Sequence, residues 1–431
     1  MRMSLRWLRV FGPGLIAGAS DDDPSGIATY SEAGARFGFT LGWALIAAYP
    51  LMCAIQEIGA RIGRSSGRGI AANIRQLYPG WIAHTVVALL LLANTLNIGA
   101  DLGAMGKSLA MLVGGPALLY TVAFGVLTAS MQIFLQADRY FSILKWLTLS
   151  LLGYVAALAV IAHSPGSLPR GLLQPHVRLD TRLWSTLLAV LGTTISPYVF
   201  FWQASQEAAD TARSPDRQPL KRKPAQAASA LGRIRLDTYI GMALADIVAL
   251  SIILTTAVTL RQAHIYDVDT SVQAAQALRP LAGQFAATLF AVGILSTGLI
   301  SIPALASSAA YAVAESQSWP RGLARLPREA KRFYATIAAA TLLGVFLNIS
   351  PMTPIQALYL SAIVNGLVSA PVMVLMMRLS TNAKVMGSVR VKGTLRTLGW
   401  LATLVMAVAG IGTIASVFVT VRGVIRLAFL P

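Results

Sequence analysis

Residues 18–30 read GASDDDPSGIATY. Three consecutive carboxylates precede a proline, a serine and a glycine, within a stretch that is otherwise apolar from Phe11 onward. Carboxylate, hydroxyl and backbone carbonyl oxygens are the ligands that suit hard divalent cations. Proline adds carbonyls to that set. It has no N–H for the carbonyl four residues back, and its ring crowds that carbonyl. In hydrocarbon a freed carbonyl needs a partner, and a bound cation is a natural one. Successive helical residues point about 100° apart, so the three aspartates do not all face one ion. Asp23, next to the break, is the expected ligand. Asp21 and Asp22 are expected to line an aqueous vestibule, make outer contacts or cap a half-helix.

A second interruption of the same form lies at residues 192–200, GTTISPYVF. It too has a glycine, a short polar run and then a proline, Pro197. Asp-Pro alone is a weak motif; Asp-Pro matched by Ser-Pro at a repeat position is stronger.

The elements that carry these breaks are membrane helices. The 431-residue chain is 55% hydrophobic and 12% charged, where a soluble domain carries about 25% charged residues. Eleven apolar helices are expected, over 11–36, 40–62, 81–106, 117–137, 140–163, 184–207, 236–260, 281–310, 333–349, 354–377 and 397–421. Each is near or above the roughly 20 residues that cross a bilayer, except the short ninth. The first is too long, and too polar at its centre, for a cleaved signal peptide. Helix six follows helix one by five helices, and an odd number of helices per half inverts the second half in the membrane. Two discontinuous helices facing each other at the midplane are the pattern of an inverted-repeat secondary transporter.

The formal net charge of +18 would point to nucleic acid in a soluble protein. Here the basic residues gather in short loops, so topology and anionic lipid account for them, and no nucleic-acid partner is expected. Most Lys and Arg fall on one side if the N-terminus is cytoplasmic and the C-terminus external, which predicts that orientation in an inner membrane. The longest polar stretch, 208–235, reads as a partly flexible cytoplasmic connector. The lone cysteine, Cys53, excludes an intrachain disulfide and reads as a small buried hydrophobe. Trp7, Trp81, Trp184 and Trp400 stand near helix starts, as interfacial anchors do. The Gly- and Ala-rich run 407–416 reads as close helix packing rather than a nucleotide loop.

At this point the residues resemble a known family. GPGLIAGASDDDPSGIATYSEAGARFGF resembles the first helix of the NRAMP divalent-metal transporters, whose break reads Asp-Pro-Gly-Asn. GTTISPYVFFWQASQ stands where that family has Met-Pro-His. NIGADLGAMG and ILKWLTLSLLGYV resemble its third and fifth helices. The resemblance implies an all-α, LeuT-type 5+5 inverted repeat in a single transporter domain. Repeat one would span about 11–163 and repeat two about 184–377, with an extra helix at 397–421. It implies a divalent cation as cargo, no cofactor and no enzymatic activity.

Carried over residue by residue, the resemblance places the ion at Asp23. The family's Asn falls on Gly26, its Met on Ser196 and its His on Tyr198. Methionine sulfur favours soft transition metals, whereas a serine oxygen is hard, and magnesium keeps much of its water. The pattern is therefore similar to the NRAMP-related magnesium transporter branch and implies partly hydrated Mg²⁺ and Mn²⁺, with the Ile195 carbonyl among the ligands. Asp101 matches the family's helix-three Asp, but Ala104 stands where a Glu is expected. Asp101 is thus the candidate for a proton pathway, with a structural role slightly favoured and coupling weak or absent.

Helix ten lines the pathway in this fold, which makes Asn365, beside a flexible Gly366, a site candidate. Gln203 is expected either to pair between helices or to face an inner vestibule, and Glu207 to be a gate or a surface ion pair. Gln56, Glu57, Asn94, Asn97, Asp246 and Gln356 are expected to hydrogen-bond between helices. The alternatives are a conventional proton-coupled Mn²⁺/Fe²⁺ symporter, an organic-substrate symporter on the same fold, and a membrane-embedded Mg²⁺ enzyme. Three aspartates would repel a substrate carboxylate, and no second acidic cluster faces the first.

Overall fold

The first apolar stretch folds as two helices, α1 (Pro13–Asp21) and α2 (Pro24–Phe37). The computed structural model describes residues 13–134, 152–162, 181–268 and 270–428, and every regular element among them is a helix. The first half continues through α3 (Gly42–Ser66), the short α4 (Ile70–Leu77), α5 (Gly80–Val113), α6 (Ala117–Phe134) and α7 (Leu152–Ala162). The second half opens on another broken pair, α8 (Thr181–Thr194) and α9 (Pro197–Arg213). Then follow α10 (Ala227–Gln262), α11 (Ser271–Gln276), α12 (Ala286–Gln317), α13 (Lys331–Leu347), α14 (Pro354–Thr381) and α15 (Gly393–Ala428).

Among the described residues, eight stretches are long and apolar enough to cross a bilayer. They carry the expected helices two, three, four, six, seven, eight, ten and eleven. Helix one is split by its break, and of helix five only 152–162 are described. Helix nine has 17 residues, about 25 Å of helix. Large apolar side chains such as Leu342, Phe346, Leu404, Ile411 and Phe418 point outward, as they do on a surface solvated by lipid.

Both breaks have the same local cause. Asp23 and Ser196 have extended backbone (φ −80°, ψ 173° and φ −76°, ψ 131°), and each is followed by a proline at the first position of a new helix. A missing N–H is harmless there, and the fixed φ of proline suits a helix start.

α1 and α2 lie along α10. Gly14 and Leu15 donate their backbone N–H to the two carboxylate oxygens of Asp237 (2.7 and 3.2 Å), capping the start of α1 from another helix. One turn on, Gly18 lies against the backbone of Gly241, where a Cβ would overlap its carbonyl. Small residues four apart let two backbones approach this closely.

Three expectations about elements need correcting. The 208–235 connector is mostly helix, since α9 runs to Arg213 and α10 starts at Ala227. Ala-rich sequence after Pro224 has high helix propensity, a 3-10 turn at Pro224–Gln226 leads into α10, and the non-helical part shrinks to 214–223. That part is pinned rather than flexible. Leu220 and Lys221 donate N–H to the carbonyls of Arg64 and Ser65 at the end of α3 (3.3 and 3.2 Å). The Arg64 guanidinium in turn reaches the Gln218 carbonyl (2.5 Å) and Gln226 Oε1 (3.0 Å), and Leu220 is fully buried. Secondly, Gly366 is no flexible point. α14 is continuous through it, and a Cβ there would press on Leu188 of α8. Thirdly, Gln356 makes no interhelical bond among the described residues; it closes a capping box with Thr353 at the start of α14.

Other readings hold. Cys53 is buried and free. A Cβ at Gly412, in the 407–416 run, would meet the Trp184 ring, so this stretch is a packing face. Trp184 therefore sits on α15, while Trp81 is exposed. Trp7 lies outside the described residues.

Candidate functional site

The site is built where α1–α2 and α8–α9 break. Proline 24 leaves the carbonyl of residue 20 without its helical donor, and proline 197 does the same to residue 193. Both carbonyls are satisfied by hydroxyls. The Tyr198 phenol donates to the Ser20 carbonyl at 2.5 Å, and Ser196 Oγ donates to the Thr193 carbonyl at 2.8 Å and to that of Gly192 at 2.8 Å. The Ile195 carbonyl accepts from Ser369 Oγ of α14 (3.0 Å). Tyr30 of α2 ties the breaks together a second time, at 3.1 Å from Thr193 Oγ1 and 3.3 Å from Thr194 Oγ1.

Asp23 is the N-cap of α2. Its Oδ1 accepts from Ser25 Oγ (2.6 Å) and the Gly26 N–H (2.7 Å), and its Oδ2 accepts from Asn97 Nδ2 (2.8 Å). A carboxylate at a helix N-terminus is favoured by the N-terminal dipole and the unused N–H groups. Asp21, Asp22 and Asp23 are all buried, at 3, 4 and 2% exposure. They do not converge: among the described residues no group of three or more His, Cys, Asp and Glu could hold a metal. The half-helix cap is Asp23 itself, rather than Asp21 or Asp22.

The remaining candidates fall into two groups. Asn365 and Asp101 join Asp23 through Asn97. Asn365 Nδ2 donates to Asn97 Oδ1 (3.0 Å), Asn97 Nδ2 also reaches Asp101 Oδ2 (3.3 Å), and Ser301 Oγ holds that same oxygen at 2.9 Å. The Asn365 Oδ1 atom is buried and has no hydrogen-bond partner among the described residues. Ser196 and Ile195 lie on the facing break. Gly26 contributes its N–H, and the space beside it is partly filled, because a Cβ there would sit 3.2 Å from the Tyr30 ring.

Gln203 and Glu207 lie away from this group. Gln203 is bonded to Gln56 (2.5 Å) and Thr238 (2.9 Å), joining α9 to α3 and α10. Glu207 is fully buried and takes the half-buried Arg233 on both oxygens (2.8 and 2.5 Å), so its carboxylate lies beneath the surface rather than on it. Glu57 pairs with Arg61 one turn on. Asn94 donates to the Leu305 carbonyl (2.9 Å).

Sequence reasoning missed the hydroxyls that answer the prolines and the central place of Asn97. Counting four residues back from each proline identifies Ser20 and Thr193, and the Asn97–Asp101 spacing puts both on one helix face. Ser196 lies only three residues from Thr193, but Tyr198 for Ser20, and Asp23 and Asn365 for Asn97, come from helices far away in sequence, which no local pattern reveals.

Tyr198→Phe tests the first of these contacts. It keeps the ring but leaves the Ser20 carbonyl buried and unpaired, an expected loss of about 1–3 kcal/mol. The lower melting temperature in detergent would be the readout, and an unchanged melting point would remove the bond from the account.

The family model for natural resistance-associated macrophage protein-like (Nramp) proteins matches residues 14–416. A divalent metal cation transporter MntH of Deinococcus radiodurans is 26% identical over 420 residues, covering 94% of this chain and 89% of that one. The MntH of Yersinia pestis is 27% identical over 412 residues, covering 93% of each. The crystal structure of an Eremococcus coleocola manganese transporter, in complex with an aromatic bis-isothiourea compound, superposes with a TM-score of 0.73 at 18% identity, over 94% of this chain and 86% of that one. Mhp1, a nucleobase-cation-symport-1 family transporter, superposes at 0.59 and 15% identity, over 97% and 92%. The fold is thus the LeuT-type inverted repeat with helices one and six broken, and the chain belongs to the Nramp family.

Proposed function

We propose that this protein is a secondary transporter, not an enzyme, that imports divalent metal cations across the inner membrane by alternating access. The observation that carries the proposal is the junction of the two breaks: Tyr198 of the second half bonded to the Ser20 carbonyl of the first, three residues before the buried Asp23 carboxylate. The MntH relatives are named for divalent metal cations, and the membrane-length helices agree with that cargo path. The ion is held by Asp23 and Ser196, with the Ile195 carbonyl and Asn365 Oδ1 completing an oxygen shell and Asp22 acting from outside it. Gly26 adds only backbone, so water fills the remaining positions. Lys and Arg placement favours a cytoplasmic N-terminus and an external C-terminus. The repeats are 11–163 and 184–377, with 397–421 outside them, all one domain.

We further infer that Mg²⁺ and Mn²⁺ both serve as cargo, partly hydrated and with weak or no proton coupling. The support is chemical: Ser196 offers a hard oxygen where a thioether would favour softer metals, and the aqueous shell of magnesium is tightly held. Membrane potential then drives uptake, at about 2.3 kcal/mol per charge per 100 mV and twice that for a divalent ion. A second reading, proton-coupled uptake of Mn²⁺ or Fe²⁺, is favoured by the Asp23–Asn97–Asp101 chain, which gives a proton carrier a direct connection to the ion ligand.

Proteoliposomes at a set inside-negative potential, with a trapped pH dye, separate the two. Accumulation of both Mg²⁺ and Mn²⁺ without acidification is expected; manganese-only uptake with acidification supports the second reading. In the same assay Ser196→Met is expected to shift the Mn²⁺ or Cd²⁺ over Mg²⁺ preference by about tenfold, equivalent to ~1.4 kcal/mol. An unchanged selectivity series would sink the hard-oxygen argument.

A further inference from the structure

α5 passes the helix-one break with Asn97 and Asp101 one turn apart on one face. The Asn97 side chain is fully buried and fully committed. An amide has two N–H donors and one carbonyl. Both donors point at carboxylates, Asp23 at 2.8 Å and Asp101 at 3.3 Å, while the carbonyl faces the Asn365 amide at 3.0 Å. The orientation is therefore determined by its partners. The opposite flip would set oxygen against two carboxylates and nitrogen against another NH₂ group.

With its nitrogen toward Asp23, Asn97 cannot ligate a cation bound there. What it does is aim the carboxylate. Ser25 and the Gly26 N–H fix Asp23 Oδ1, and Asn97 fixes Oδ2, so rotation of the group is restrained at both oxygens. Asp101 is restrained in turn by Ser301 of α12. One amide thus joins α2, α5 and α14, and reaches α12 through Asp101.

We propose that Asn97 is the positioning residue of the ion site, setting the orientation of the Asp23 carboxylate and tying it through Asp101 to α12. This rests on the reading of Asp23 as an ion ligand. Groups that hold a metal ligand in place are typically worth 10–100-fold in metal affinity.

The test uses the full chain in proteoliposomes, with Mn²⁺ as the probe. Asn97→Ala and Asn97→Ser are both made, because serine can bond back to its own helix and supplies a second folded variant if alanine fails to fold. In either variant the expected result is a KM raised about 10-fold or more with Vmax within about twofold. Asn97→Gln, which keeps the amide on a longer arm, recovers part of the loss. A folded variant with an unchanged KM, or a defect confined to Vmax, overturns the proposal. Asp23→Ala is run beside them. Normal uptake by Asp23→Ala defeats the reading of the site itself, whereas a dead Asp23→Ala with a normal KM in Asn97→Ala defeats only the positioning role.

Discussion

Asp23→Ala is expected to abolish metal uptake in a protein that still reaches the membrane. The carboxylate has two jobs in the structure, since it caps α2 and lies at the junction of the breaks. Loss of an N-cap side chain costs about 1 kcal/mol, and that cost alone must not be mistaken for loss of a ligand. Asp23→Asn separates the two. Asparagine caps a helix about as well as aspartate and keeps an oxygen for Ser25 and the Gly26 N–H, but it carries no charge. Asp23→Asn should therefore keep the cap and lose only the Asn97 bond, a stability cost of about 1–3 kcal/mol, while uptake falls on the order of 100-fold or more, a loss of ~2.7 kcal/mol in the rate-determining balance. Near-normal uptake by a well-expressed Asp23→Asn or Asp23→Ala would take Asp23 out of the site.

The second large effect concerns the fold. Gly18→Leu should give no recoverable folded protein, and Gly18→Ala should already be destabilised. A Cβ at this position overlaps the backbone of Gly241, not a side chain that can swing away. Relief requires α1 and α10 to separate, yet the Asp237 carboxylate holds the start of α1 to α10 one turn below. Overpacking of this kind costs about 1–3 kcal/mol, and more where backbone is involved. Gly293→Ala is the matched control. It lies inside α12 with nothing within 4 Å of the added carbon, so helix propensity alone should act, a gain of about 1 kcal/mol. Opposite signs for the two alanines, read as melting temperature in detergent, are the expected result; equal signs would mean that the contact does not govern stability.

The fold was legible in the sequence because a bilayer punishes unpaired backbone so heavily. Each spanning segment is a long apolar run, and each break had to announce itself with a proline. The Asp23-Pro24 and Ser196-Pro197 pair carried most of the information, since proline fixes where the new helix starts. What stayed hidden was partnership. Nothing near Ser20 in sequence points to Tyr198, and nothing near Asn97 points to Asn365. The connector was misread for a different reason: prolines and charges at 214–224 looked like a linker, while the alanines after Pro224 were building the first turns of α10. Gly366 was misread because a glycine in a helix serves close packing as readily as it serves bending.

The pinned connector bears on how such a protein can move. Its bonds to the last carbonyls of α3, with the Glu207–Arg233 pair and the Gln56–Gln203–Thr238 joint, brace α3, α9 and α10 into one truss at that end of the bundle. A truss does not flex along its members. On the proposed reading, angular motion between the half-helices falls on the two short unwound segments, at Asp22–Asp23 and Ile195–Ser196. The load therefore sits on the pivots themselves, and an ion that stiffens them sets the torque available to the whole lever.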